Sequence, residues 1–123
     1  MHSLPKDPRR RFGDRGEELA AAFFEAKGFM VVARNWSCRL GEIDLVLERA
    51  GKLHFVEIKT RRTDTYGYPE EAITRTKLEH LRRAIEEFLR AHPGAPEDYQ
   101  ADALALALIP GQAPQFHYVE NIL

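Results

Sequence analysis

The stretch GEIDLVLERAGKLHFVEIKTRR, residues 41 to 62, decides how this chain folds. Residues 41 to 48 and 53 to 60 are short runs rich in branched and aromatic residues, the composition of strands. Between them lies Ala50-Gly51, and a glycine there takes the positive φ that a tight hairpin turn needs. A two-residue turn sets Arg49 opposite Lys52. Counting outward, Val46 meets Phe55, Asp44 meets Glu57 and Glu42 meets Lys59. Because side chains alternate in direction, Ile43, Leu45, Val56 and Ile58 are expected on one apolar face and the four charges on the other.

Like charges directly opposite each other destabilise a sheet, so the repulsion between Asp44 and Glu57 has to be offset. A hard divalent cation does this: Mg²⁺ takes carboxylate and water oxygens, using one or two carboxylates together with substrate phosphate. Lys59, next to them on the same face, balances charge and can orient a water or a phosphate oxygen. Such a group can hydrolyse a phosphodiester by generating hydroxide and stabilising the charge of the transition state. The competing reading is a lattice of ion pairs on a solvated face, with Glu42 bound to Lys59 and Asp44 or Glu57 bound to an arginine. Three features favour the site: the apolarity of the opposite face, helices available to cover both faces, and the position of Glu17 and Lys77 at the borders of apolar helix stripes. Glu42 is a secondary candidate, either a further acid or the partner of Lys59, and the partner role is preferred.

Outward from the hairpin, residues 29 to 36 (FMVVARNW) form a preceding strand. Residues 15 to 27 form a first helix whose Leu19, Ala22, Phe23 and Ala26 recur at helical spacing before Gly28 stops it. Glu17 lies at the edge of that face. Residues 60 to 72, with Gly67 and Pro69, read as a loop, after which Thr74 caps a helix to about residue 91, with Leu78, Leu81, Ile85, Phe88 and Leu89 as its stripe. Residues 101 to 109 (ADALALALI) alternate Ala and Leu by face, and residues 115 to 123 form a last strand. The order α-β-β-β-α-β-β implies an α/β protein with a mixed central sheet flanked by helices.

With 123 residues, the chain suits a single domain over residues 15 to 123, preceded by a flexible basic arm, residues 1 to 14, that carries Arg9, Arg10 and Arg11. The lone Cys38 excludes an internal disulfide, and no Cys/His cluster offers a zinc site. No apolar run spans a membrane and the amino terminus has no apolar signal core, so a cytoplasmic protein without a membrane partner is expected. Net charge is −1, yet arginines outnumber lysines thirteen to five. Arginine is the better bidentate phosphate ligand. Arg61, Arg62 and Arg75 flank the expected site and are candidates to hold phosphates, against simple solvation. His54 falls on the apolar face and reads as a structural histidine. Trp36, Tyr66 and Tyr68 could stack on bases or simply pack.

Asp44 followed, after twelve residues, by Glu57-Ile58-Lys59 resembles the PD-(D/E)xK nuclease signature, with Ile43 at the loosely kept proline position. Together with GDRGEELAAAFFEAKGF, RNWSCRLGEIDLVL, FVEIKTRR and ITRTKLEHLRRA, the chain resembles the YraN-like family of bacterial proteins, itself similar to archaeal Holliday-junction resolvases. The resemblance covers about residues 12 to 123. It implies a restriction-endonuclease-like fold with an αβββαβ core, and a Mg²⁺- or Mn²⁺-dependent endonuclease acting on DNA, branched or junction DNA included, with two copies paired as a homodimer. Carried over by position, Asp44 and Glu57 would be metal ligands with the Ile58 carbonyl as third. Lys59 would activate water or stabilise the transition state, Glu17 would complete or orient the metal site, and Lys77 would be a polar helix position beside it. The alternative is a non-catalytic nucleic-acid-binding module of the same fold. A carboxylate-pair glycosidase fits less well, given the adjacent lysine and the small size.

Overall fold

The computed structural model describes residues 8–62 and 74–123, with side chains from Arg15 onward in its first helix. The elements are α1 (Pro8–Ala26), β1 (Met30–Cys38), β2 (Gly41–Arg49), β3 (Lys52–Arg61), α2 (Arg75–Ala91), β4 (Tyr99–Ala107) and β5 (Gln115–Val119). Their order is the one the sequence predicts. The five strands lie side by side in chain order as one sheet. β1/β2, β2/β3 and β4/β5 are antiparallel, while β3/β4 is parallel, α2 providing the crossover that a parallel pair requires. The chain is therefore a mixed α/β fold.

The hairpin register follows from its turn. Ala50 and Gly51 both have positive φ, 52° and 75°, as a type I′ turn demands, and Arg49 pairs with Lys52. The ladder continues as counted to Leu45 opposite Val56, and there it stops. The expected Asp44/Glu57 and Glu42/Lys59 pairs are thus not rungs of the ladder. β3 meanwhile stays paired with β4 as far as Arg61 opposite Ala107, so the β2 side of its last residues is left open.

Both faces of the sheet are apolar, each covered by one helix. On one side Ala20 and Phe24 of α1 pack with Leu45, Leu47, Val56, Leu104 and Leu106; on the other Leu81, Ala84, Ile85 and Phe88 of α2 pack with Ile43, Val46, Leu53, Phe55 and Ala101. Ile43 is a correction to the sequence reading, since it lies on the α2 side with Val46 and not with Leu45. Strand positions three apart belong on opposite faces, so β2 turns over between Ile43 and Val46. β1 does the same: Ala33 and Trp36 both pack toward α2. The pairing runs from Arg34 opposite Leu45 to Trp36 opposite Ile43, and Asn35, between them, has φ 49°. The two strands switch faces together at the Asn35/Asp44 step.

α1 also differs from expectation. It begins at Pro8, so residues 8 to 14, assigned to the arm, are helical; proline suits a first helical turn because its missing N–H has no partner there anyway. Residues 1 to 7 and the loop with Tyr66 and Tyr68 lie outside the described residues. Its buried face is Ala20, Ala21 and Phe24, whereas Ala22 and Ala26 are exposed. That rotation brings Glu17, one turn before Ala21, onto the sheet-facing side. α2 is capped as predicted, the Thr74 hydroxyl accepting the Lys77 N–H at 3.1 Å. No helix among the described residues is long and apolar enough to cross a membrane.

Candidate functional site

The open end of the β2/β3 ladder is where the charged residues gather. With no β2 carbonyl opposite it, the Ile58 N–H is taken by a side chain, donating to Asp44 Oδ2 at 2.8 Å. A strand residue's N–H and C=O leave the same edge, so the Ile58 carbonyl oxygen faces the same opening. Glu57 follows Phe55 onto the α2 side, and its carboxyl is in hydrogen-bonding contact with that of Asp44. Two carboxyls make such a contact only when one keeps a proton. For Asp44, burial first, then the Glu57 carboxylate, push its pKa up to about 7 from an ordinary 3.8, with Glu42 and Glu17 adding to the rise and the Ile58 hydrogen bond opposing it. Glu57 is raised too, again by burial, and is held back by Lys59 and Lys77.

Two glycines explain how helices reach this spot. A Cβ on Gly16 would overlap the Thr60 side chain, so α1 can lie this close to β3 only with glycine there, and the next residue is Glu17. A Cβ on Gly41 would come 2.8 Å from the His80 carbonyl oxygen, which seats α2 against the start of β2. Lys77 is about one turn before His80. Its amino group reaches that of Lys59, and this contact, followed by partial burial, lowers the Lys59 pKa, while Glu57 and Asp44 pull it upward. Glu17 accepts a hydrogen bond from Asn35 Nδ2 at 3.0 Å.

Asp44 thus has Glu57, Glu42 and Glu17 as charged neighbours and the Ile58 N–H as donor, and Glu57 has Lys59 and Lys77; among the described residues no three of these acids bring carboxylate oxygens within 4.8 Å of one another. Glu42 does not take its preferred role, however. It is exposed and its charge acts on Asp44 and Glu57, while the acids acting on Lys59 are those same two. The ladder ends before it could hold Glu42 against Lys59. The arginines are spread out. Arg62 lines a cleft of about 340 Å³ with Arg15 and the loop from Leu108 to Pro114, whereas Arg75 lines a separate one with Glu79, His80 and Arg83 on the outside of α2. Arg61 closes β3, its carbonyl accepting Leu108 N–H at 2.7 Å. Trp36 packs edge-on against Phe88, a core-rim role.

Sequence reasoning missed a second polar group. Asp102, fully buried in β4, accepts four hydrogen bonds: from Gln100 Nε2 at 2.8 Å and Asn121 N–H at 3.0 Å on Oδ1, and from His54 Nδ1 at 2.9 Å and the Tyr118 hydroxyl at 2.5 Å on Oδ2. Its signal was available, a lone acid within the Ala/Leu run 101 to 109 and a lone histidine on the apolar face of β3. His54 is the structural residue expected. His54, Asp102 and Glu120 place ligand atoms within 4.8 Å of one another, but both Asp102 oxygens are already committed to donors. The Asp44 group differs in having oxygens that are not all committed to donors. Its Oδ1, the Glu57 carboxylate and the Ile58 carbonyl are all hard oxygens, and the mutual repulsion of the acids is what a divalent ion relieves.

The match with known proteins covers the same ground. Residues 16–107 fit the model of the Uncharacterised protein family UPF0102. The chain belongs to the UPF0102 family. A UPF0102 protein of Nocardia farcinica is 38% identical over 114 residues, 93% of this chain and 90% of that one. Relatives in Leifsonia xyli (39% over 111 residues; 90% of this chain, 94% of the relative) and Caldicellulosiruptor saccharolyticus (40% over 96; 78% and 81%) carry the same family name. The UPF0102 match begins at Gly16, the residue that seats α1, and takes in Glu17, Asp44, Glu57, Lys59 and Lys77.

Proposed function

We propose that this UPF0102 protein is a Mg²⁺- or Mn²⁺-dependent endonuclease of restriction-endonuclease-like fold that hydrolyses phosphodiester bonds in DNA, with branched or junction DNA as its substrate. The observation that carries the reading is the pair Asp44 and Glu57, set together and half-buried at the open end of a ladder with Lys59 beside them. A structural ion-pair lattice sets acids against bases, whereas Asp44 has three acids as neighbours, a repulsion that a divalent cation relieves.

In this reading Asp44, Glu57 and the Ile58 carbonyl hold the ion, and Glu17 completes or orients the set from α1. A bound divalent ion supplies Lewis acidity toward a phosphate oxygen and lowers the pKa of water. The remaining work falls to the chain itself. Lys59, its pKa lowered by Lys77, can pass a proton to or from a water poised at the scissile phosphate, and when charged it stabilises the developing negative charge. Lys77 adds positive charge on the α2 side of the opening, while Arg61, Arg62 and Arg75 contact phosphates on either side. Two copies joined as a homodimer would cut paired strands, which light scattering of the pure protein tests directly.

The deciding experiment incubates purified protein with Mg²⁺ or Mn²⁺ and duplex, flapped, single-stranded and four-way DNA. Cleavage that falls at least about 100-fold in Glu57→Ala and in Lys59→Ala supports the proposal. If every substrate stays intact, or the variants cut as well as the native chain, the endonuclease reading fails. Salt-dependent binding to DNA with neither cleavage nor metal response would instead favour the non-catalytic module.

A further inference from the structure

Asn35 has no part in the roles above, yet three observations meet at it. Its φ of 49° lies in the left-handed region, which asparagine tolerates better than most residues. It occupies the step at which β1 and β2 change faces, between the Arg34/Leu45 and Trp36/Ile43 pairs and so level with Asp44. Its side-chain amide donates to Glu17 Oε2 at 3.0 Å, joining residues 18 apart in sequence. The backbone conformation alone would be met as well by glycine. The hydrogen bond would not, and it is exposed, where such bonds add little to stability. What it does is fix one rotamer of a long, flexible side chain. An amide is suited to this because it binds a carboxylate without cancelling its charge, as a lysine or arginine would. The Glu17 charge acts on Asp44.

We infer that Asn35 is a positioning residue that holds the Glu17 carboxylate toward Asp44, so that α1 delivers a third acid to the divalent-cation site. This rests on the metal-site reading above. The test is titration of the metal-free full-length protein with Mn²⁺ at pH 8, free Mn²⁺ being followed by electron paramagnetic resonance. It compares the native chain with Glu57→Ala, Glu17→Gln, Asn35→Gly and the double variant Glu17→Gln/Asn35→Gly. Glycine accepts the left-handed φ, so Asn35→Gly removes the amide without straining the turn-over of β1. Loss of a group that orients a metal ligand typically weakens affinity about 10–100-fold. The expected result is a weakening of about 10-fold or more in Asn35→Gly, a similar one in Glu17→Gln, and no further loss in the double variant.

The inference is overturned if Asn35→Gly binds Mn²⁺ as tightly as the native chain while Glu57→Ala loses it, if Glu17→Gln is without effect, or if the two losses add in the double variant. A native protein that binds no more Mn²⁺ than Glu57→Ala is a different failure. It removes the cation site itself, and Asn35's role with it.

Discussion

Asp44 and Asp102 are both acids set in strands of one sheet, and their surroundings are opposite. Asp102 has four donors on its two oxygens, including a main-chain N–H from the tail after β5, and its hydrogen bonding is complete as it stands. Asp44, among the described residues, has the Ile58 N–H as its donor and three acids pressing on it. A buried charge surrounded by donors has been built to stay; one surrounded by like charges is waiting for something else. Asp102 is fully buried and Asp44 only partly so, and the donor inventory separates them further.

The largest effect should come from removing the satisfied acid. Asp102→Ala leaves His54, Tyr118, Gln100 and the Asn121 N–H without their shared acceptor, and a loss of about 3–5 kcal/mol is expected, seen as a fall in melting temperature of about 10 °C or more. A fall of only a degree or two would mean that the two sites differ less than their geometry says. Next in size is the response to metal. Mn²⁺ at about a hundred times its dissociation constant should stabilise the native chain by about 2.7 kcal/mol at pH 8, with Glu57→Ala unmoved and the gain shrinking at pH 5 as the carboxylates hold protons. Equal shifts in both proteins would place the ion elsewhere.

Tyr118→Phe takes one of the four donors from Asp102 and should cost about 1–2 kcal/mol by denaturant unfolding. The pH dependence has the opposite sign. In the folded protein Asp44 keeps its proton up to about 7, whereas the unfolded chain releases it near 3.8. The folded state therefore binds more protons between those values, and metal-free stability falls as pH rises through that window. Asp44→Asn, which still offers the Ile58 N–H an acceptor, should flatten this decline and melt a few degrees higher than the native chain at pH 8 without metal. A lower melting temperature would show Asp44 to be a structural acid like Asp102.

Much of this was legible in the chain. Ala50-Gly51 set the hairpin register because turn chemistry is local, and counting held as far as Leu45 opposite Val56. What counting could not see is the change of face at Asn35/Asp44, since it depends on one residue adopting a left-handed φ that no hydrophobic pattern records. Ile43 was misassigned for that reason, and the Glu42/Lys59 pair was lost with it. The α1 face was misplaced because alanines at 20, 21, 22 and 26 do not reveal which of them is buried. The Asp102 network joins β3, β4, β5 and the tail, and only the assembled sheet brings those together.

The contact of Gly16 with Thr60 has a mechanical side. A helix lying on a sheet is ordinarily free to slide along its own axis by a fraction of a turn as side chains repack. Here the missing Cβ leaves a notch into which the Thr60 side chain fits. The notch acts as a stop, so the placement of Glu17 is inherited from a neighbour that has no side chain. Gly16→Ala would lift or shift α1 as a rigid lever and move the acid it carries. If the proposed function holds, such a lesion would silence the site while leaving every charged residue of it unchanged.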